Sequence, residues 1–234
     1  MNILGIGCHP DDLEIYCGGT LAKYAKQGHK VFMLHVANGN LGHKVIAPPE
    51  LAEIRKKEAQ EAAKILGAQA ISLDIDDLHV EAHDKTLRNK LTEIVRQIKP
   101  DIIITHSPVD YMRDHEQTSA LAVDVSFTAT IPHLVQDTKS IENYPPVFFM
   151  ETSAGIGFIP TEYVDISEEF EQKLESIACH KSQLVWLKEH DGVDFLEYVR
   201  TANKYRGFQS NCIYAEGFTQ FLARPRIGTR RWLP

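Results

Sequence analysis

The strongest constraint on the fold is an alternation along the chain. Apolar runs rich in β-branched residues lie at Asn2–Cys8, Lys30–Asn38, Ala70–Ile75, Asp101–His106 and Pro146–Thr152. Between them, apolar residues recur at helical spacing over Gly18–Gln27, Glu50–Leu66, Asp84–Ile98 and Asp114–Thr130. Short, uniformly apolar runs are strands buried on both faces, and strands joined through helices run parallel. The pattern therefore predicts an α/β fold, a Rossmann-like, mostly parallel sheet with helices on both faces. The stops agree with it: Gly28 and Gly67 follow two of the helical segments, and Pro100 follows a third.

From Tyr163 the pattern changes. Glu168–His190 reads as one long amphipathic helix, and the run from Val193 reads as another, ending before Gly207. A C-terminal helical elaboration is thus expected from about residue 166. Without repeats, low-complexity stretches or a linker, the 234 residues are expected to form one domain. Phe195, Leu196, Tyr198 and Val199 crowd one short segment, more than a single face requires, so a homo-oligomer is expected.

Composition narrows the partners. The apolar share of 43% supports an ordinary core, and the net charge of −7 argues against a nucleic-acid partner, which selects basic surfaces. The cysteines Cys8, Cys17, Cys179 and Cys212 form no C-x-x-C pair and are too sparse for a disulfide scaffold, so reduced thiols are expected. The chain opens directly into a strand, and no apolar run reaches the ~18 residues of a membrane span. A cytoplasmic protein is the expectation.

In parallel sheets, binding sites lie beyond the C-terminal ends of the strands. Polar clusters follow those ends here, at His9–Glu14, Asn38–Gly42, Asp74–Asp77 and His106–His115. In "HPDDLE", His9 and Asp12 can face one cation from a tight turn, and Asp11 is left beside it, free to accept a proton from water. One Asp in such a turn would suffice to cap a helix; the preceding His-Pro is not needed for that. In "THSPVDYMRDHEQTS", His115 on the first turn of a helix can supply a third ligand, with Asp114 as an N-terminal helix charge.

At these residues the chain resembles the LmbE-like (PIG-L) zinc-dependent N-deacetylases. The resemblance runs from Asn2 to about Gln183 and takes in "NGNLGH", "IRKKEA", the "DDL" after the third strand and "CHKSQ". It implies Zn2+ held by His9, Asp12 and His115, with Asp11 as general base and Arg55 and Asp77 as substrate contacts. Asp114 and His106 join Asp11 as catalytic candidates, and Asn38 joins Arg55 and Asp77 as a substrate-binding candidate. The implied reaction is hydrolysis of the acetamido group of a small glucosamine-containing molecule, with release of acetate, in a trimer or hexamer. One departure stands out. The family's second motif reads H-P-D-H, whereas here Met112 stands where the first His would be. A thioether neither polarises a carbonyl nor protonates an amine. His106, favoured by its place at the end of the fourth strand, and Tyr111, Arg113, His79, His83 and His180 are the candidate replacements.

Other readings are weaker. Pro10 breaks a dinucleotide fingerprint at Gly5–Pro10, and no P-loop or G-x-S-x-G elbow is present. A metal-dependent phosphoesterase and a zinc-binding protein without catalysis remain as alternatives.

Overall fold

The computed structural model describes residues 1–135, 137–190, 192–223 and 233–234. Its elements in chain order are β1 (Asn2–Gly7), α1 (Asp12–Lys26), β2 (Lys30–Ala37), α2 (Pro48–Ile65), β3 (Gln69–Ile75), α3 (Lys85–Ile98), β4 (Ile102–Thr105), α4 (Arg113–Thr128), β5 (Val147–Met150), β6 (Glu162–Asp165), α5 (Phe170–Ile177), α6 (Lys181–His190), α7 (Phe195–Ser210) and β7 (Ala215–Gln220). The strands form one seven-stranded sheet in the order β3-β2-β1-β4-β5-β7-β6. β1 to β5 are parallel to one another, and β7 and then β6 add antiparallel at one edge. The expected mostly parallel sheet with helices on both faces is what the structure has.

The two faces follow from strand alternation. Ile3, Met33, Ile104 and Phe148 point into one core with Leu21 of α1 and Leu174 of α5. Leu4, Leu34, Ile103 and Phe149 point into the other with Leu91 of α3 and Leu121 of α4. The glycines of β1 have a packing cause: a Cβ on Gly5 or Gly7 would come within 3.1 or 2.9 Å of the Leu13 side chain. α1 thus crosses β1 closely, and its first turn is fixed at the C-terminal end of the middle one of the five parallel strands.

The structure corrects several element boundaries. α1 starts at Asp12, a turn and a half before Gly18. Of its internal Gly18-Gly19 pair, Gly19 is required, because a Cβ there would meet Ile166 at 2.8 Å. The Gly19 and Thr20 N–H groups also donate to the buried Glu216 carboxylate of β7, which Lys173 neutralises from 2.6 Å. The expected single helix over 168–190 is two helices, α5 and α6. The chain turns between them, and His180 there faces Glu14. α7 runs through Gly207, where a Cβ would lie 2.5 Å from the Ile213 carbonyl oxygen. β6 and β7, unanticipated, return the C-terminal segment to the sheet. Val199 is buried in the core beside α1, and Phe195, Leu196 and Tyr198 pack against it, so these four side chains are accounted for without a partner subunit. Among the described residues, no helix is long and apolar enough to cross a membrane, and all four cysteines are free.

One buried cation holds the connection between α4 and β5. Arg96, 2% exposed, donates to the carbonyls of Ala129, Ile131, Val135 and Thr138. Arg96→Met removes these donors and leaves the carbonyls short of partners, so a loss of about 3 kcal/mol is expected in urea unfolding. A change within about 0.5 kcal/mol, the range of an ordinary surface substitution, would contradict this role.

Candidate active site

The turn from β1 into α1 gathers the reactive side chains. Asp11 adopts φ 122°, a region that L-residues rarely enter, and its side chain is buried. Strain of this kind persists where the surroundings over-determine it. Arg55, reaching across from α2, supplies that restraint. Its Nη2 donates to the Pro10 carbonyl at 2.7 Å and stands 3.3 Å from Asp11 Oδ2, while its Nη1 donates to the Gly39 carbonyl. Burial pushes the Asp11 pKa up to about 6, against the opposing charge of Arg55. The carboxylate is therefore poised as a base near neutrality.

Asp12 is the hub of the site. Its Oδ2 accepts the His9 backbone N–H at 2.6 Å and lies 3.4 Å from His9 Nδ1, while its Oδ1 lies 3.4 Å from His115 Nε2. Behind each imidazole stands a second carboxylate. Asp114 Oδ2 is 3.5 Å from His9 Nε2 and accepts the Leu78 N–H, and Asp110 Oδ1 is 3.2 Å from His115 Nδ1. An imidazole backed by a carboxylate on one nitrogen and free on the other is the usual setting of a metal-binding histidine. Neither nitrogen of His115 has an aligned hydrogen-bond partner among the described residues, though both are buried. Buried polar nitrogens are seldom left so. Electrostatics point the same way. Burial disfavours charge on His115, but Asp12 and Asp110 overcome it and push its pKa up to about 10. Burial likewise opposes charge on Asp12, yet His115 and His106 hold its pKa well below the carboxylate range. The cluster calls for a cation, and its nitrogen and oxygen donors suit zinc and neighbouring transition ions.

Among the described residues, donor atoms close enough to share one ion form two overlapping groups, Cys8–His9–Asp12 and Asp12–His106–His115. The expected trio of His9, Asp12 and His115 straddles both. His106 is placed differently from the other two histidines. It lies beneath His115, rings stacked at 4.0 Å, and its Nε2 accepts the Cys8 N–H at 2.9 Å. That lone pair is committed to the backbone, and burial followed by the charge of His115 pushes the pKa down to about 4.

The cluster forms the floor of a cleft of about 360 Å3. Arg55, Asp77 and Gln183 also line it, together with Tyr16, Tyr111, Trp186, Phe195 and Tyr198. Asp77 also latches the loop after β2, accepting the N–H groups of Gly39 and Leu41. Asn38 is not part of this lining; its amide donates to Asp74 and Asp76 within the loop network. Arg113 points away and pairs with Glu81, and His79 and His83 are likewise absent from the lining. His180 is buried against Glu14, 3.2 Å away. Sequence reasoning missed Tyr16, Trp186 and Tyr198. Tyr16 had a usable signal, since it lies four residues after Asp12 and shares its helix face.

Residues 4–126 match the family model described as PIG-L: GlcNAc-PI de-N-acetylase. The chain is 29% identical over 226 residues to the diacetylchitobiose deacetylase of Thermococcus kodakarensis, covering 92% of this chain and 81% of that one. It is 27% identical over 241 residues to the 4-oxalmesaconate hydratase of Pseudomonas putida, covering 94% and 89%. Among solved structures, the N,N'-diacetylchitobiose deacetylase of Pyrococcus horikoshii superposes with a TM-score of 0.82 at 27% identity, covering 94% of this chain and 83% of that one.

Proposed function

The chain belongs to the PIG-L (GlcNAc-PI de-N-acetylase) family, and from that premise we propose that it is a zinc-dependent N-deacetylase acting on a small N-acetylglucosamine-containing molecule. The observation that carries this reading is Asp11, a buried carboxylate held 3.3 Å from Arg55 beside a histidine–carboxylate cation site in a cleft of about 360 Å3. We assign the metal to His9, Asp12 and His115, with His106 as a support beneath them. Zn2+ held there would acidify a water molecule and polarise the amide carbonyl.

The remaining chemistry belongs to side chains. Asp11 takes the proton of the attacking water and returns it to the departing nitrogen, which leaves as the free amine alongside acetate. Arg55 keeps the Asp11 carboxylate aimed at the cleft. Asp114 and Asp110 fix the tautomers of His9 and His115. Asp77 and Arg55 offer hydrogen bonds to sugar hydroxyls. Cytoplasmic residence and a homo-oligomer belong to the same reading; the exposed Tyr205 and Phe208 of α7 favour self-association, which light scattering would test.

A second reading comes from the Pseudomonas relative: the same base and cation site would serve addition of water to a carbon–carbon double bond. Product analysis by NMR separates the two. The deacetylase reading expects acetate and free amine in equal amounts from N-acetylated sugars. Hydration of an unsaturated acid with no acetate from any amide would favour the other.

A further inference from the structure

Met112 leaves the reaction without an evident hydrogen-bond donor above the metal ligands. It sits at the start of α4 and lines the cleft, but its thioether has no proton to give. The other candidates are occupied or turned away. Arg113 is exposed and pairs with Glu81 at 2.7 Å. His106 has its Nε2 engaged by the Cys8 N–H, and His180 is buried against Glu14. The Tyr198 hydroxyl is held by Ser153 Oγ and the Ala154 N–H. Tyr111 stands at the rim, 75% exposed.

Tyr16 meets the requirement. It lies one helical turn after Asp12 on α1, so both side chains leave the same helix face. It lines the cleft beside His9, Asp12, Met112 and His115. Its ring stands edge-on to His106 and His115, with centroids 6.2 and 6.4 Å apart. Among the described residues its hydroxyl has no hydrogen-bond partner, so its proton is free for a group bound in the cleft. α1 is clamped over β1 through Leu13, which lies against Gly5 and Gly7, so the phenol is carried on a rigid element.

We propose that Tyr16 donates the hydrogen bond that stabilises the oxyanion of the reacting amide, in place of the imidazole that Met112 cannot supply. This rests on the deacetylase reading above. As the water oxygen bonds to the carbonyl carbon, its proton moves to Asp11 and the carbonyl π pair moves onto oxygen. The Tyr16 O–H points its hydrogen at that oxygen and keeps its proton. On collapse the oxygen pair re-forms the carbonyl, the C–N bond breaks, and Asp11 delivers the proton to nitrogen.

Removing one oxyanion donor typically lowers kcat by ~10²–10³-fold. Tyr16→Phe keeps the ring and the packing, so kcat should fall by about 10²-fold with KM, zinc stoichiometry and Tm near wild type. Tyr163→Phe, on β6 outside the cleft, should stay within about threefold, because its hydroxyl bonds Gln209 and reaches no group of the site. A second readout needs no turnover. By calorimetry, a methylphosphonamidate analogue of N-acetylglucosamine, which presents a tetrahedral oxyanion, should bind Tyr16→Phe about 10²-fold more weakly than wild type. Glucosamine, the product, should bind both equally. If wild type releases acetate and binds the analogue, but Tyr16→Phe matches it in both, the Tyr16 assignment is overturned alone. If wild type does neither, the deacetylase reading falls and takes this assignment with it.

Discussion

Asp11→Asn loses about 10²–10⁴-fold in kcat, the usual worth of a general base, while retaining the wild-type amount of zinc. An amide is nearly isosteric with the carboxylate but cannot take a proton. Its position 3.3 Å from Arg55 Nη2 needs no rearrangement of the turn. The wild-type pH profile supplies a companion test. With the Asp11 pKa raised by burial to about 6, protonation on the acid side removes the base. The rate should therefore fall roughly tenfold per pH unit below the folded pKa, and a cation beside the carboxylate moves that limb to lower pH. Asp11→Asn should show no such limb. Full activity in Asp11→Asn would remove Asp11 from the mechanism.

Metal retention separates the ligands from the groups behind them. Outer partners of a metal-binding histidine typically contribute 10–100-fold in affinity. Asp114→Asn, which loosens His9, and Asp110→Asn, which loosens His115, should each weaken zinc by about that much. His9→Ala, Asp12→Ala and His115→Ala each delete one of three protein donors and should weaken it by more than about 100-fold, beyond any outer partner. His106→Ala should keep the ion, because the His106 Nε2 lone pair is already taken by the Cys8 N–H. Competition with a chelator of known affinity measures all six. Loss of zinc in His106→Ala with retention in His9→Ala would move the site to the Asp12–His106–His115 group.

The central sheet is legible in the sequence because Ile3, Leu34 and Ile103 lie in runs buried on both faces, where burial alone dictates composition. The start of α1 is hidden by Gly18 and Gly19, whose low helix propensity reads as a boundary. They are tolerated because Ile166 and Glu216 press on that turn, which only tertiary structure reveals. The break between α5 and α6 is equally silent: its cause is His180 turning in to Glu14, two residues far apart in the chain. Glu216 is buried in β7 against Lys173, a pairing between positions far apart in the chain that no local pattern announces.

For the candidate site, "HPDD" is local in sequence, and His115 joins it because β4 lies directly beside β1. Asn38 carried no signal of its own destination, since the bonds it makes depend on how the β3 loop folds back over it. Tyr16 was masked by the same misplaced helix start: its four-residue spacing from Asp12 brings the phenol beside the proposed metal ligands only once α1 begins at Asp12.

Zinc-dependent deacetylation is decided by acetate release from N-acetylglucosamine conjugates, diacetylchitobiose among them, measured on metal-free protein before and after reloading with one equivalent of Zn2+. The stripped protein should release none, reloading should restore acetate and free amine in equal amounts, and His115→Ala should not recover. Release that persists undiminished after the metal is removed, or reloaded wild type that frees acetate from none of these amides, would contradict zinc-dependent deacetylation.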